Sequence, residues 1–159
     1  MPLWTIHHTS GTFTDEDKQR LASRIADHYE QVGLPRFYVV TLFHETRPED
    51  FYVGGKPTPA GVRIAIDHIA RHNPDRQSRR RTAQWITGML KPHLERQAGL
   101  HWEFHVDETS DDLWTINGIT PPPAGSDAEK SWAEQFGAPV LTRRRTVPHR
   151  RSRSLSRGG

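Results

Sequence analysis

Residues 1–9 read MPLWTIHHT, with a proline directly after the methionine and ahead of Leu, Trp, Thr and Ile. Residues 3–8 have the composition of a β-strand. Methionine is commonly excised before a small second residue, and its loss would leave Pro2 as a free secondary amine mounted rigidly at the head of that strand. A peptide nitrogen cannot act as a base. A free α-amino group can, because it titrates near neutrality at about 7.7–8.0, and proline's amine is intrinsically more basic. Burial and neighbouring arginines disfavour the charged form and bring such an amine toward working pH. Pro2 is therefore the first candidate for acid–base chemistry.

Working outward from this strand, residues 11–35 (GTFTDEDKQRLASRIADHYEQVGLP) carry the marks of a helix. Thr14 is the expected N-cap, Asp17 follows three residues later, and Asp15 and Glu16 sit in the positive first turn. Leu21, Ile25, Tyr29 and Val32 recur at helical spacing, and Gly33 and Pro35 end the run. Residues 36–45 (RFYVVTLFHE) form a continuous β-branched and aromatic stretch, expected as a buried strand of the kind parallel sheets favour. The pattern then repeats. A Gly/Pro-rich turn leads to a strand at 62–69 and a helix with Asn73 as N-cap and Pro74 at its first position. Pro92 is expected to kink or interrupt that helix, and a strand follows at about 101–107. Two β-α-β units, at about 2–55 and 60–118, predict an α/β (α+β) fold with one four-stranded sheet and two helices on one face. A small hairpin and a covering arm complete a domain at 1–140.

The chain has 159 residues, 33% hydrophobic residues, no cysteine and a net charge of +3. That length suits one domain with a moderate core. The lean hydrophobic content suggests that an oligomer interface completes the burial. No apolar run is long enough for a membrane span, no basic segment precedes an apolar one at the N-terminus, and no disulfide framework exists; a cytoplasmic protein without membrane contact is expected. Residues 141–159 hold seven arginines and no acid, so the tail carries +7 and residues 1–140 carry −4. The tail has a disordered composition. Any contact with nucleic acid is expected through this tail alone.

The segments MPLW, IADHYEQVGLPRFYVV, YVGG, IDHIAR, HWEFHVDE and LWTINGITPPPAGSDAEKSWAEQ, in this order and spacing, resemble the tautomerase superfamily. Within it they are most similar to the cis-3-chloroacrylic acid dehalogenase-like branch, including its fungal-type members. The resemblance covers residues 2 to about 137. It implies a tautomerase/MIF-like homotrimer with active sites at the N-terminal prolines. It also implies an isomerase in which Pro2 serves as general base or acid for keto–enol tautomerisation, or for hydration of a small unsaturated or keto carboxylic acid. A catalytically silent member that binds a small molecule or a partner is the alternative.

Residue by residue, the resemblance places a carboxylate-binding arginine at Arg71, nine residues after Val62, which occupies in the second unit the place of Pro2 in the first. A guanidinium there would bind a carboxylate bidentately and stabilise enolate charge. The branch's second arginine falls on Pro74 here, so Arg76 and the strand residue Arg63 are the substitutes. His28 matches a helix histidine that contacts substrate, and Phe37 and Trp114 are expected to wall the pocket. Where the dehalogenases carry a water-handling tyrosine and glutamate, this chain has Phe104 and Thr115, so efficient dehalogenation is not expected. Strand alternation also turns Glu103 away from Phe104. No metal or other cofactor is expected. His7 and His8 point to opposite faces of a strand, His68 and His72 span a strand end and a loop, and His101 and His105 share a face without a third ligand.

Overall fold

The computed structural model describes residues 1–69 and 72–136. Strand β1 (Pro2–Thr9) leads to helix α1 (Asp15–Glu30) and strand β2 (Val40–Thr46). A short hairpin of β3 (Tyr52–Val53) and β4 (Lys56–Pro57) intervenes, followed by β5 (Gly61–Ile69), α2 (Arg76–Leu94), β6 (His101–Thr109) and α3 (Asp127–Phe136). The four long strands form one mixed sheet in the order β2-β1-β5-β6. Each β-α-β unit supplies a parallel pair, β1 with β2 and β5 with β6, and the units meet where β1 runs antiparallel to β5.

Strand alternation divides the sheet into two faces. Trp4, Ile6, Val62, Ile64 and Ile66 are fully buried and pack against Leu21 and Ile25 of α1 and Ile86, Met89 and Leu90 of α2. Both helices therefore cover one face, as the duplicated pattern predicts. The other face carries Thr5, His7, Arg63 and Ala65, and among the described residues no helix covers it. On it, His7 stacks on His44 at 5.1 Å, and Arg63 Nε lies 3.5 Å from Glu103.

The local signals explain most element boundaries. Thr14 and Asp17 close a reciprocal capping box, each side chain accepting the other's backbone N–H at 3.1 Å. Gly33 leaves α1 with φ +84°, which an L side chain seldom adopts. Gly61 opens β5 beneath the Phe51 ring, where a Cβ would come within 2.5 Å of the ring carbons. Asn117 and Gly118, both with positive φ, form a two-residue turn between the bridged Ile116 and Ile119, so the expected hairpin is present in miniature.

Three expectations need correction. Residues 36–45 do not form one buried strand. Arg36–Tyr38 is a 3-10 turn following Pro35, and β2 is an edge strand whose residues are half-buried or exposed. The N-cap of α2 is Asp75, whose Oδ1 accepts the Ser78 N–H at 2.7 Å. Asn73 is unavailable as a cap because Glu108 and Thr82 engage its side chain. Pro92 does not stop α2, which continues to Leu94. The covering arm contains α3, opened by Ser126, whose Oγ accepts the Glu129 N–H at 3.1 Å. The arginine-rich tail lies outside the described residues.

Leu90 is fully buried between α2 and the sheet, whereas Leu113 is 79% exposed. Leu90→Ala should cost about 2–5 kcal/mol, the sum of lost transfer energy and a residual cavity. Leu113→Ala should stay within about 0.5 kcal/mol. Urea unfolding of the two variants checks the assignment of the core.

Candidate active site

The N-terminal end of β1 and the C-terminal end of β5 meet at one end of the sheet, and a cleft of about 420 Å³ opens there between the sheet, α1 and α2. Pro2, Tyr29, His68, Asn73, Arg81 and Trp85 contribute to its wall. Pro2 is buried and shares the helix-covered face with Trp4 and Ile6. It is a tolerated first strand residue because a proline there forfeits no interior ladder bond. Met1 extends the ladder by one step: its ammonium donates to the Ile69 carbonyl, and its carbonyl accepts the Ile69 N–H at 2.8 Å. Met1 also borders a second cleft, of about 270 Å³, with Tyr38, Trp114 and the Pro121–Pro123 run. The first residue thus stands between two cavities.

Opposite Pro2 in the antiparallel register is His68. Its Nε2 lies 2.7 Å from the Tyr29 hydroxyl, and the Trp4 indole N–H donates to that same oxygen at 3.2 Å. All three side chains are buried. Burial pushes His68 down to about 4; Glu108 opposes the shift and the N-terminal ammonium adds to it. Burial also raises the Tyr29 phenol, against the Trp4 hydrogen bond, so the phenol keeps its proton. Asn73, ahead of α2, is tied down beside them. Glu108 accepts the Asn73 N–H at 2.9 Å and its side-chain amide, and Asn73 Oδ1 accepts the Thr82 hydroxyl at 2.7 Å.

Of the residues singled out from the sequence, Pro2 lies in the cleft wall, and Arg71 falls outside the described residues. His28 is beside the cleft, its ring flat against Trp85 at 3.6 Å, and burial lowers its basicity, helped by Arg24. Arg76 is exposed in the first turn of α2. Arg63 faces the uncovered side of the sheet, in register with His7 near the far end of β1. Phe104 shares the helix-side face with Ile64 and packs against the core beside a separate groove that includes Arg79. Phe37 packs on Tyr38 at 4.6 Å. Trp114 meets Tyr38 edge-on at 5.3 Å in the second cleft, and Thr115 is exposed.

Tyr29, His68, Arg81 and Trp85 were not anticipated as a group. One signal was available for His68. It continues the buried alternation Val62, Ile64, Ile66, so it is a polar residue at an apolar-face position. Arg81 and Trp85, four apart on α2, share a helical face, but which face meets the cleft depends on how α2 docks.

A duplicated β-α-β sheet with a proline at the head of its central strand defines a tautomerase-superfamily fold. A family model described as "Putative oxalocrotonate tautomerase enzyme" matches residues 1–136, and the chain belongs to that family, Tautomerase_3. It is similar to the crystal structure of "a probable enzyme from the thermophilic fungus Aspergillus fumigatus", at 39% identity and TM-score 0.79, over 85% of this chain and 94% of that one. It is also similar to RhCC from Rhodococcus jostii RHA1, at 42% identity and TM-score 0.78, over 84% and 95%. N1, a member of the cis-3-chloroacrylic acid dehalogenase family, shares the fold at 19% identity and TM-score 0.66, over 85% and 98%. No curated protein matches. Among the described residues, no helix is long and apolar enough to cross a membrane.

The depressed basicity of His68 has a consequence for stability. In the unfolded chain this imidazole takes up a proton near 6.5, and in the folded protein only near 4. Between those values the unfolded state binds more protons, so stability is full above 6.5 and falls as pH drops toward 4. The slope is up to about 1.4 kcal/mol per pH unit from this residue. His28 and His93, both lowered chiefly by burial, act in the same direction. His68→Gln should flatten this acid loss, measured as the change in urea midpoint between pH 7 and pH 5.

Proposed function

We propose that this chain is a tautomerase acting on a small keto or unsaturated carboxylic acid, with Pro2, freed of Met1, as its base. The observation that carries this reading is the position of Pro2: buried, at the end of the central strand, and in the wall of a cleft large enough for such an acid. While Met1 is attached the nitrogen is an amide without a basic lone pair. Its loss would convert that nitrogen to an amine and join the two clefts that Met1 borders. It would also release the Ile69 N–H, leaving a backbone donor beside the amine where an oxygen now sits.

The mechanism follows from these groups. The neutral amine removes a proton from the carbon next to a carbonyl, and the C–H electrons become the new C=C bond. The carbonyl pair moves onto oxygen, and the prolinium returns the proton to that oxygen or to another carbon. Trp85 and Tyr29 restrict water around the amine, which favours its uncharged form. Arg71 is assigned to the substrate carboxylate by the resemblance of its sequence context. The surroundings favour an anion. Arg76, Arg79, Arg80 and Arg81 crowd the start of α2, where the helix dipole is already positive. Such crowding opposes helix formation, and it raises the positive potential beside the cleft. A homotrimer is proposed on the grounds that the described residues leave one face of the sheet uncovered and both β2 and β6 as open edges.

Pro2→Ala should abolish turnover of an enol acid such as phenylenolpyruvate while leaving the oligomer and its melting temperature unchanged. Arg71→Ala should raise KM more than it lowers kcat. Intact-mass measurement of the active protein should show Met1 absent. Unchanged turnover by Pro2→Ala would overturn the assignment and leave a binding protein built on this fold.

A further inference from the structure

Proton removal by Pro2 accounts for the base, whereas the carbonyl oxygen, which gains the negative charge, has so far only the released Ile69 N–H and, by resemblance, Arg71 to meet it. A preorganised donor at such an atom is commonly the largest contribution to rate. The cleft contains a buried hydrogen-bond relay that no step described so far uses: Trp4, Tyr29 and His68. His68 is only 8% exposed, stands directly across the ladder from Pro2, and lines the same cleft. Side chains opposite one another on one face of an antiparallel pair have Cβ atoms about 4.5–5.5 Å apart. A small substrate touching one therefore touches both.

The relay also favours one position for the proton of the imidazole ring. A phenol has one hydrogen to give. The Tyr29 oxygen already accepts the Trp4 N–H, and among the described residues its own hydrogen has His68 Nε2 as acceptor, an arrangement that gives every member of the relay a partner. The imidazole proton then resides on Nδ1.

We propose that His68 is the electrophile of this site, its Nδ1–H donating to the substrate carbonyl oxygen as Pro2 takes the α-proton, with Tyr29 and Trp4 as positioning residues that hold the tautomer. The inference rests on Pro2 acting as the base. During the step the carbonyl π pair moves onto oxygen and is held by the Nδ1–H without transfer of that proton, and the proton that moves is the one carried by Pro2. A neutral imidazole suits this role because it polarises a carbonyl while remaining unchanged. The ring's low basicity keeps it neutral throughout the range in which the amine works.

Two substitutions separate the two nitrogens. His68→Gln places an amide near Nε2, preserving a partner for Tyr29 while removing the Nδ1 donor. His68→Asn places an amide near Nδ1, preserving a donor to the substrate while giving up Tyr29. His68→Gln should lower kcat by about 10²–10³-fold with little change in KM, and His68→Asn should recover at least about a tenth of the wild-type kcat. Nitrogen-15 NMR of imidazole-labelled protein should show the Nδ1–H tautomer in the wild type and a mixture in Tyr29→Phe. Wild-type kcat in His68→Gln, with Pro2→Ala inactive, overturns the role of His68 alone. Equal losses in both His68 variants overturn it as well, since a packing role predicts them. Wild-type kcat in Pro2→Ala removes the base and this inference together. If the His68 variants do not fold, the tautomer decides, and an Nε2–H ring in the wild-type protein overturns the proposal.

Discussion

Antiparallel pairing of β1 with β5 is the constraint from which the rest of this structure follows. It joins two units that could each form only a two-stranded ribbon, and two strands are marginal in water. It also merges the apolar faces of both units into one core, with Trp4 and Ile6 from one strand against Ile64 and Ile66 from the other. The same register puts Pro2 opposite His68. Packing and site are therefore consequences of one ladder, and a slip of one residue would turn one of the two side chains to the opposite face and part the pair.

The polar groups at the end of that ladder are arranged with unequal surroundings. Exposed Glu108 and half-buried Asn73 are hydrogen-bonded ahead of α2, and against the effect of burial the Asn73 hydrogen bonds, with His72 and Arg79, hold the carboxylate below its ordinary range. One strand over, His68 is buried and neutral beside a phenol that keeps its proton. Placing a neutral imidazole rather than a cation opposite Pro2 spares the core an uncompensated charge. The cations gather instead at the start of α2, where Arg79, Arg80 and Arg81 are exposed to solvent. Burial and charge are thus segregated around the cleft.

Membership in the Tautomerase_3 family, together with similarity at about 40% identity to fungal and Rhodococcus structures, accounts for the fold. Chemistry is a separate matter, because one scaffold of this kind can host different reactions according to its site residues. The resemblance puts Phe104 and Thr115 where the dehalogenase-like pattern has a tyrosine and a glutamate. In the structure the first packs against the core and the second is exposed. Proton transfer between carbon and oxygen needs a base and a donor and no activated water. The groups around Pro2 suit that simpler demand.

Much of the architecture was legible in the chain itself because it depends on local rules. The Thr14–Asp17 box, the Gly33 stop and the period-two apolar runs at 2–9 and 61–69 specify elements through neighbours a few residues away. The duplicated order of those elements leaves few ways to build a sheet. The errors arose where distant groups compete. Asn73 looks like a helix cap until Glu108, 35 residues away, takes its side chain; residues 36–45 look buried until β2 proves to be an edge strand. Pro2 announced itself by position. The grouping of Tyr29, His68, Arg81 and Trp85 did not, since they come from a helix, a strand and a second helix whose docking no local pattern encodes. Sequence by itself determined most of the elements and singled out Pro2; tertiary structure alone decided which side chains face Pro2, because long-range register and helix packing set distances that neighbouring residues cannot.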